Sequence, residues 1–299
     1  MHIAINDSPL SSGHSARGVG VYTKLLIESL RKYVPEHSYT LFTRPENIPK
    51  DADVVHYPFF DPFFLTLPLR KFRPTVVTVH DLIPLVFPSH FPKGIRGSIK
   101  WQIQKMALRG VSHIITDSDT SKNDVAAIVG FPKERIHTVY LAASSAFSKP
   151  IPSKTKLHLP KMYVLFVGDV NWNKNVYGLL DVVSSLSVDV VLVGKAFLDM
   201  TLPEVQRITS KIATLGLSGR IHMLGYVDEV DLSYLYHNAI CTVVPSFYEG
   251  FGLPVLESMS WGGIVVAADN SSLHEIKGPA ITVNAADSQY ICRGITQAI

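Results

Sequence analysis

Short apolar runs that alternate with helical patterns constrain this chain more than any other feature. The runs at 2–6, 39–43, 54–57, 75–80, 113–116 and 136–140 are rich in Val, Ile and Thr, as are those at 163–168, 188–194, 221–224, 239–244, 264–267 and 281–283. Helical spacing fills many of the gaps, at 20–33, 121–129, 176–185, 203–214 and 232–238. Strands apolar on both faces need cover on both faces, and helices between them supply it, so the expected fold is α/β with parallel sheets flanked by helices. The alternation stops once, in "AASSAFSKPIPSKTKLHLPK" (142–161), a stretch of Ser, Lys and Pro without period. Two Rossmann-like domains follow, 1–147 and 161–299, joined by a linker centred on 148–160. A length of 299 residues agrees, at about 100–200 residues per domain. Ligands of such sheets collect beyond the carboxyl ends of the strands, so a cleft between the domains is the expected site.

The composition, 46% hydrophobic and 18% charged, is that of a soluble globular chain. No run approaches the ~18 apolar residues of a spanning helix. The start, "MHIAIND", lacks the basic region and apolar core of a secretory signal. The most apolar window, "YPFFDPFFLTLPL" (57–69), holds three prolines and an aspartate and reads as a loop. Cys241 and Cys292 have no ligand spacing, and Cys241, inside an apolar run, reads as a small buried hydrophobe. A reducing, cytoplasmic setting is expected. The chain ends "ADSQYICRGITQAI", inside a helical pattern with no stop signal, so an incomplete C-terminus is expected as well.

Charge is uneven. Residues 1–150 hold 18 Lys/Arg against 12 Asp/Glu, and residues 151–299 hold 10 against 13. No acid lies between Asp81 and Asp117, where Lys93, Arg96, Lys100, Lys105 and Arg109 accompany Ile95, Ile99, Ile103 and Met106 at helical spacing. This basic helix, 93–109, reads chiefly as a surface helix with its apolar side on the core. Peripheral contact with an anionic membrane is a second role it could combine with the first. The basic residues are too diffuse for nucleic acid, and no aromatic platform accompanies them.

The stretch with most chemistry in it is "PSFYEGFGLPVLES" (245–258), where an apolar strand runs through a loop into a helix opened by Pro254. Main-chain N–H groups of Phe251, Gly252 and Leu253 would sit at the amino end of that helix, a place that favours phosphate. Gly250 and Gly252 let a ligand approach the backbone. Glu249 and Glu257 are suited to accept hydrogen bonds from paired sugar hydroxyls. Phosphate cradle plus two carboxylates points to a nucleotide sugar. The same two residues also fit a loop-surface charge and a first-turn charge favoured by the helix dipole.

The segment "PSFYEGFGLPVLESMSWGGIVVAADNSSLHEI" resembles the signature region of family 4 glycosyltransferases, retaining enzymes of the GT-B fold with an E-x7-E motif. The likeness extends in family order through "ARGVGVYTKLLIESL" (16–30), "VVTVHDLIPLVFP" (76–88), "HIITDSDTSKNDV" (113–125), "YVLFVGDVNWNKN" (163–175) and "RIHMLGYVDEVDLSYLYHNA" (220–239). The resemblance is greatest to mannosyltransferase-like members that assemble bacterial surface polysaccharides. It implies that Glu249 meets the transferred sugar, Glu257 the ribose, and Lys174 the diphosphate. It also implies that Gly18 and Gly20 let the first-domain loop close over phosphate, and that Tyr226 and Val227 lie along the base. His80 would position the sugar, and Gly168 and Asn175 would join the donor site. Asp169 stands where an Arg is frequent, His274 where proline is common, and Ala142 and Ala143 where many members have glycine. The family usually has a last helix crossing back to the first domain, and the expectation of an incomplete C-terminus extends to that helix.

Local competitors are weaker. His80-Asp81 has no nucleophile elbow to serve. "DAD" (51–53) and "DSD" (117–119) have metal-motif spacing, yet Asp53 opens an apolar run, and Ser118 and Asp119 fit helix caps. "GVGVYT" ends in Thr23 and stands too far from the first strand for a dinucleotide turn. The expectation is a retaining, metal-independent transferase without cofactor. It would move a hexose from a nucleotide-diphospho-sugar, GDP-mannose by subgroup resemblance, to a glycan or lipid-linked acceptor. A nucleotide-sugar epimerase or phosphorylase on the same plan, or a non-catalytic nucleotide-binding partner, are the alternatives.

Overall fold

The computed structural model describes residues 1–11, 18–143 and 154–299. They form two compact units, Met1–Tyr140 and Leu141–Ile299. Residues 148–153 of the linker at 148–160 lie outside the described residues. Its end at 154–160 packs on the second unit through Leu157 and Leu159, and the Thr155 hydroxyl donates to Asp231 at 2.6 Å.

In the first unit the strands are β1 (His2–Asn6), β2 (Ser38–Phe42), β3 (Val54–Tyr57), β4 (Thr75–Thr78), β5 (His113–Thr116) and β6 (Ile136–Thr138). They pair in parallel in the order β2-β1-β3-β4-β5-β6. The helices are α1 (Ser8–Ser11), α2 (Gly18–Tyr33), α3 (Ile83–Val86), α4 (Gly94–Arg109) and α5 (Asp119–Val129). Ser118 caps α5, its hydroxyl accepting from the Ser121 N–H at 3.1 Å, so one half of "DSD" is a helix start. Beyond Tyr57, which ends β3, the apolar window to residue 69 is loop, as its prolines dictate.

The basic helix α4 forms but faces the other way from the expectation. Its buried side is Gly97, Trp101, Gln104, Ala107 and Leu108. Ile95, Ile99 and Met106 are 82%, 58% and 58% exposed. Gln104 explains the choice. Its carboxamide accepts from the Thr66 and Leu67 N–H groups and donates to the Leu67 carbonyl, satisfying a loop that has no strand to pair with. The side of α4 on the core is therefore the one that carries Trp101, Ala107 and Leu108, and not the one that carries Ile95, Ile99 and Met106.

The second unit repeats the plan with β7 (Tyr163–Val167), β8 (Asp189–Val193), β9 (Ile221–Gly225), β10 (Cys241–Val244), β11 (Val265–Ala268) and β12 (Ile281–Val283). All are parallel, in the order β12-β11-β10-β7-β8-β9. The helices are α6 (Val176–Val183), α7 (Pro203–Thr214), α8 (Glu229–Asn238), α9 (Leu253–Ser260), α10 (Ser271–Ile276) and α11 (Ser288–Ala298). Every residue of β10 and β11 is buried, as expected for central parallel strands. Cys241 is part of that core, and burial pushes its thiol up to about 12. α11 closes the sheet with Ile291 and Ile295, and a side chain at Gly294 would lie 2.5 Å from Val283. The strand order reverses between β7 and β10, which makes the ends of those two strands the switch point where such sheets bind ligands.

Candidate active site

Two loops leave that switch point. After β7 the chain passes Gly168 and a 3-10 turn, Trp172–Lys174, before α6. After β10 it passes Ser246 and Glu249 before α9. Because β7 and β10 are neighbours, side chains 75 residues apart meet. The Lys174 ammonium donates to both oxygens of Glu249, at 2.8 Å each. The Ser246 hydroxyl donates to Glu249 Oε1 at 2.6 Å. Glu249 is 6% exposed, so a charged carboxylate is held inside the fold by one ammonium and one hydroxyl. The expected diphosphate and sugar ligands are thus each other's partners in this structure.

The loop around the pair is braced from below. The Ser271 hydroxyl accepts from the Glu249 N–H at 3.0 Å, and the Ser272 hydroxyl donates to the Glu249 and Phe251 carbonyls at 2.9 Å. Gly252 caps α9 at φ +106°, and a Cβ there would stand 2.5 Å from Leu273. Glycine is required on both counts. Phe251 is buried, whereas Leu253 opens the helix as its first residue.

Glu257, one turn inside α9, accepts a 2.7 Å hydrogen bond from the Tyr236 hydroxyl. Burial raises its carboxyl above the ordinary value, and the Tyr236 bond partly offsets the rise. Tyr236 is itself fully buried, and burial followed by the Glu257 charge drives its phenol well above the usual range. Sequence reasoning missed this residue. Its signal was present, an aromatic on the inner side of the helix preceding β10, but nothing local says which acid it will meet.

Asn175 is corrected. Its amide donates to the Pro245 and Ala285 carbonyls at 3.0 and 2.9 Å, and its oxygen accepts from the Gly178 N–H, capping α6. With every group used at φ 53°, it is scaffold that ties three segments together rather than a ligand residue. Gly168 is held by its N–H on the Val193 carbonyl at 2.9 Å. Gly194 in turn leaves room for the Gly168 carbonyl, since a Cβ at Gly194 would fall 1.9 Å from that oxygen. Tyr226 is 64% exposed beyond β9, and Val227 packs on the core beside it.

In the first unit, Gly18 and Gly20 stand in the opening turn of α2, at the helix start expected near Gly20. Nothing lies within 4 Å of a Cβ at Gly18. Residues 12–17 before them lie outside the described residues. His80 follows β4, and its ring bonds Asp117 through Nδ1 at 2.6 Å and the Pro58 carbonyl through Nε2 at 3.2 Å. Burial works against a charged ring, but Asp117, by charge and hydrogen bond, outweighs it and raises the pKa. Tyr22 meets the ring edge-on, centroids 4.6 Å apart. His56, bonded to Thr78 at 2.9 Å, is pushed down to about 4 by burial and by His80. Asp117, the other acid of "DSD", therefore serves His80, while Asp119 accepts from Thr138. Sequence reasoning missed that pairing as well, because β4 and β5 had to be placed side by side first.

The chain matches two family descriptions, group 1 glycosyl transferases over residues 148–296 and glycosyltransferase family 4 over residues 38–144. It is 32% identical over 255 residues to O-antigen chain mannosyltransferase B of Escherichia coli, covering 83% of this chain and 66% of that protein. It is 29% identical over 229 residues to O-antigen chain mannosyltransferase RfbU of Salmonella typhimurium, covering 75% of this chain and 60% of that one. The chain thus spans slightly under two thirds of the length of these relatives. Among solved structures, Anabaena HepE in complex with UDP and glucose is similar at a TM-score of 0.75 and 20% identity, over 99% of this chain and 89% of that one. That likeness carries the GT-B fold.

Proposed function

Because the chain belongs to the family 4, group 1 glycosyltransferases, we propose that it transfers a hexose from a nucleotide-diphospho-sugar to a glycan or lipid-linked acceptor. The names of its relatives support mannose, and with it GDP-mannose and surface polysaccharide assembly. The observation that carries the reading is the Lys174–Glu249 pair three residues ahead of the glycine that caps α9. It puts a fixed cation, a fixed carboxylate and a helix amino end at one sheet switch point.

Each part has work to do in glycosyl transfer. Departure of the diphosphate builds negative charge on its leaving oxygen, which the Lys174 ammonium and the amino end of α9 stabilise. No metal is needed in this scheme. Glu249 has oxygen lone pairs beyond those given to Lys174 and Ser246, and these accept from a sugar hydroxyl. Glu257, oriented by Tyr236, accepts from the ribose, and exposed Tyr226 offers its ring to the base. The anomeric carbon passes through an oxocarbenium-like state. The acceptor oxygen bonds to it from the face the phosphate leaves, and the acceptor proton goes to a departing phosphate oxygen, so configuration is retained.

The test is calorimetric titration with GDP, UDP and ADP in the presence of a chelator. One diphosphate should bind, and Lys174→Ala or Glu257→Ala should abolish it. Incubation of its mannosyl derivative with acceptor should then give a product of unchanged anomeric configuration by NMR. Binding of none of the three, or conversion of the sugar nucleotide without acceptor, would overturn the proposal. The acceptor side is compatible with a peripheral place at an anionic membrane, which the exposed Ile95, Ile99 and Met106 among the basic residues of α4 support.

A further inference from the structure

One face of the first sheet carries a cavity of about 520 Å³ whose lining shares no residue with the site above. Val55 and Tyr57, two apart on β3, and Thr75 on β4 face it from the sheet, and the segments 45–50 and 68–73 wall it in. Its charge is one-sided, with Lys50, Arg70, Lys71 and Arg73 against Glu46 alone. Three of the four cations contact neutral groups. Arg73 donates to the Lys50 carbonyl, Lys71 to the Ala107 carbonyl, and Arg70 lies over the Phe72 ring at 5.0 Å. None of the four forms an ion pair among the described residues.

Two further observations point to an occupant. Tyr57 is 3% exposed, and its hydroxyl has no hydrogen-bond partner. A buried hydroxyl in that state is a cost that an acceptor oxygen entering the cavity removes. The mouth is also apolar where it should be polar. Phe72 in the lining is 76% exposed, and Leu69, next in sequence to the lining residues Pro68 and Arg70, is 55% exposed; Phe64 and Leu65, outside the lining, are exposed as well. Large apolar side chains grouped this way on a surface mark a place of contact. Lys71 agrees with the geometry, since burial without a counter-charge lowers its pKa to about 8.

We propose that this cavity binds a phosphate group through Arg70, Arg73, Lys50 and the Tyr57 hydroxyl, and that Leu69 and Phe72 make the head group of an anionic lipid its source. A phosphate diester brings the charge that the four cations lack, and acyl chains cover the two side chains that water now meets. The site is independent of the transferase reading, because none of its residues takes part in that reaction.

The test uses the full chain with two probes. Flotation with phosphatidylglycerol vesicles, against phosphatidylcholine vesicles, reads the lipid source; calorimetry with inorganic phosphate reads the free anion. Wild type should float with phosphatidylglycerol only. Arg70→Gln/Arg73→Gln should weaken that association roughly 30-fold, the loss expected for two charges at an anionic surface. Leu69→Ser/Phe72→Ser should weaken vesicle binding and leave phosphate binding unchanged. Tyr57→Phe should lower phosphate affinity while leaving the protein as stable as wild type or more so, which a packing role would not do. Saturable phosphate binding that the Arg variant abolishes, with flotation on neither vesicle type, would keep the phosphate site and overturn the lipid source. Equal binding of both vesicle types, or an Arg variant that binds both probes as wild type does, would overturn the proposal. Nucleoside diphosphate titration of each variant shows that the fold and the separate transferase site are intact.

Discussion

Replacing Lys174 by Met tests the central pair most directly. The Glu249 side chain is 7% exposed and that of Lys174 22%, so the substitution strands a carboxylate that water cannot reach. Breaking a buried pair from one side costs about 3–5 kcal/mol. The Ser246 hydroxyl bond at 2.6 Å survives, so the lower end, ~3 kcal/mol, applies. That is a factor of roughly 150 in the folding equilibrium of the second unit. Lys174→Met/Glu249→Gln should recover most of the loss, because a neutral amide keeps the Ser246 bond without a buried charge. The coupling from the cycle should be about 2 kcal/mol. Urea unfolding followed by Trp172 fluorescence is the assay. Trp172 stacks on Phe247 at 5.0 Å, beside both partners in sequence, and reports locally. A single variant within ~0.5 kcal/mol of wild type, or a double variant no better than the single, would refute the reasoning. The pair would then not be a buried, mutually dependent unit.

Three other expectations follow from the same geometry. Gly252→Ala should cost about 1–3 kcal/mol through strain at φ +106° and the clash with Leu273, and should remove nucleotide binding; urea unfolding and calorimetry read the two effects. Tyr236→Phe deletes the bond that holds the Glu257 carboxyl down, so this group should titrate higher still. Nucleotide affinity, which needs the carboxylate, should then begin to fall at a higher pH than in wild type; affinity unchanged across the pH range would count against the ribose role. The raised His80 pKa means that stability from the His80–Asp117 pair is fully present below the ordinary value of 6.5 and is lost as pH rises through the folded one. Asp117→Asn should flatten that fall in the first unit, as measured by denaturant midpoints across pH.

Much of this was legible one element at a time. The strand at 75–80 stops at Thr78 and that at 39–43 starts at Ser38, but each apolar run expected as a strand is one. The helix at 203–214 begins at its proline and ends as its period requires. The carboxylates at the α9 turn were legible for the same reason, since strand, glycine, proline and helix follow each other along the chain. The resemblance to family 4 transferases rested on that order and survived comparison. What was not legible involved partners far apart. Asn175 has the composition of a ligand residue, and only the nearness of the Pro245 and Ala285 carbonyls turns it into scaffold.

The sequence by itself determined the parallel α/β elements, because side-chain period and turn residues act over a few positions. Tertiary structure decided which side of each element meets what. α4 shows the division clearly: its isoleucines recur at helical spacing, but the loop at 66–67 needed hydrogen bonds, and Gln104 turned to supply them. Lys174 and Glu249 show it at the site. Nothing within either segment chooses the other; the crossover that sets β10 beside β7 brings an ammonium and a carboxylate within 2.8 Å, and burial makes each depend on the other.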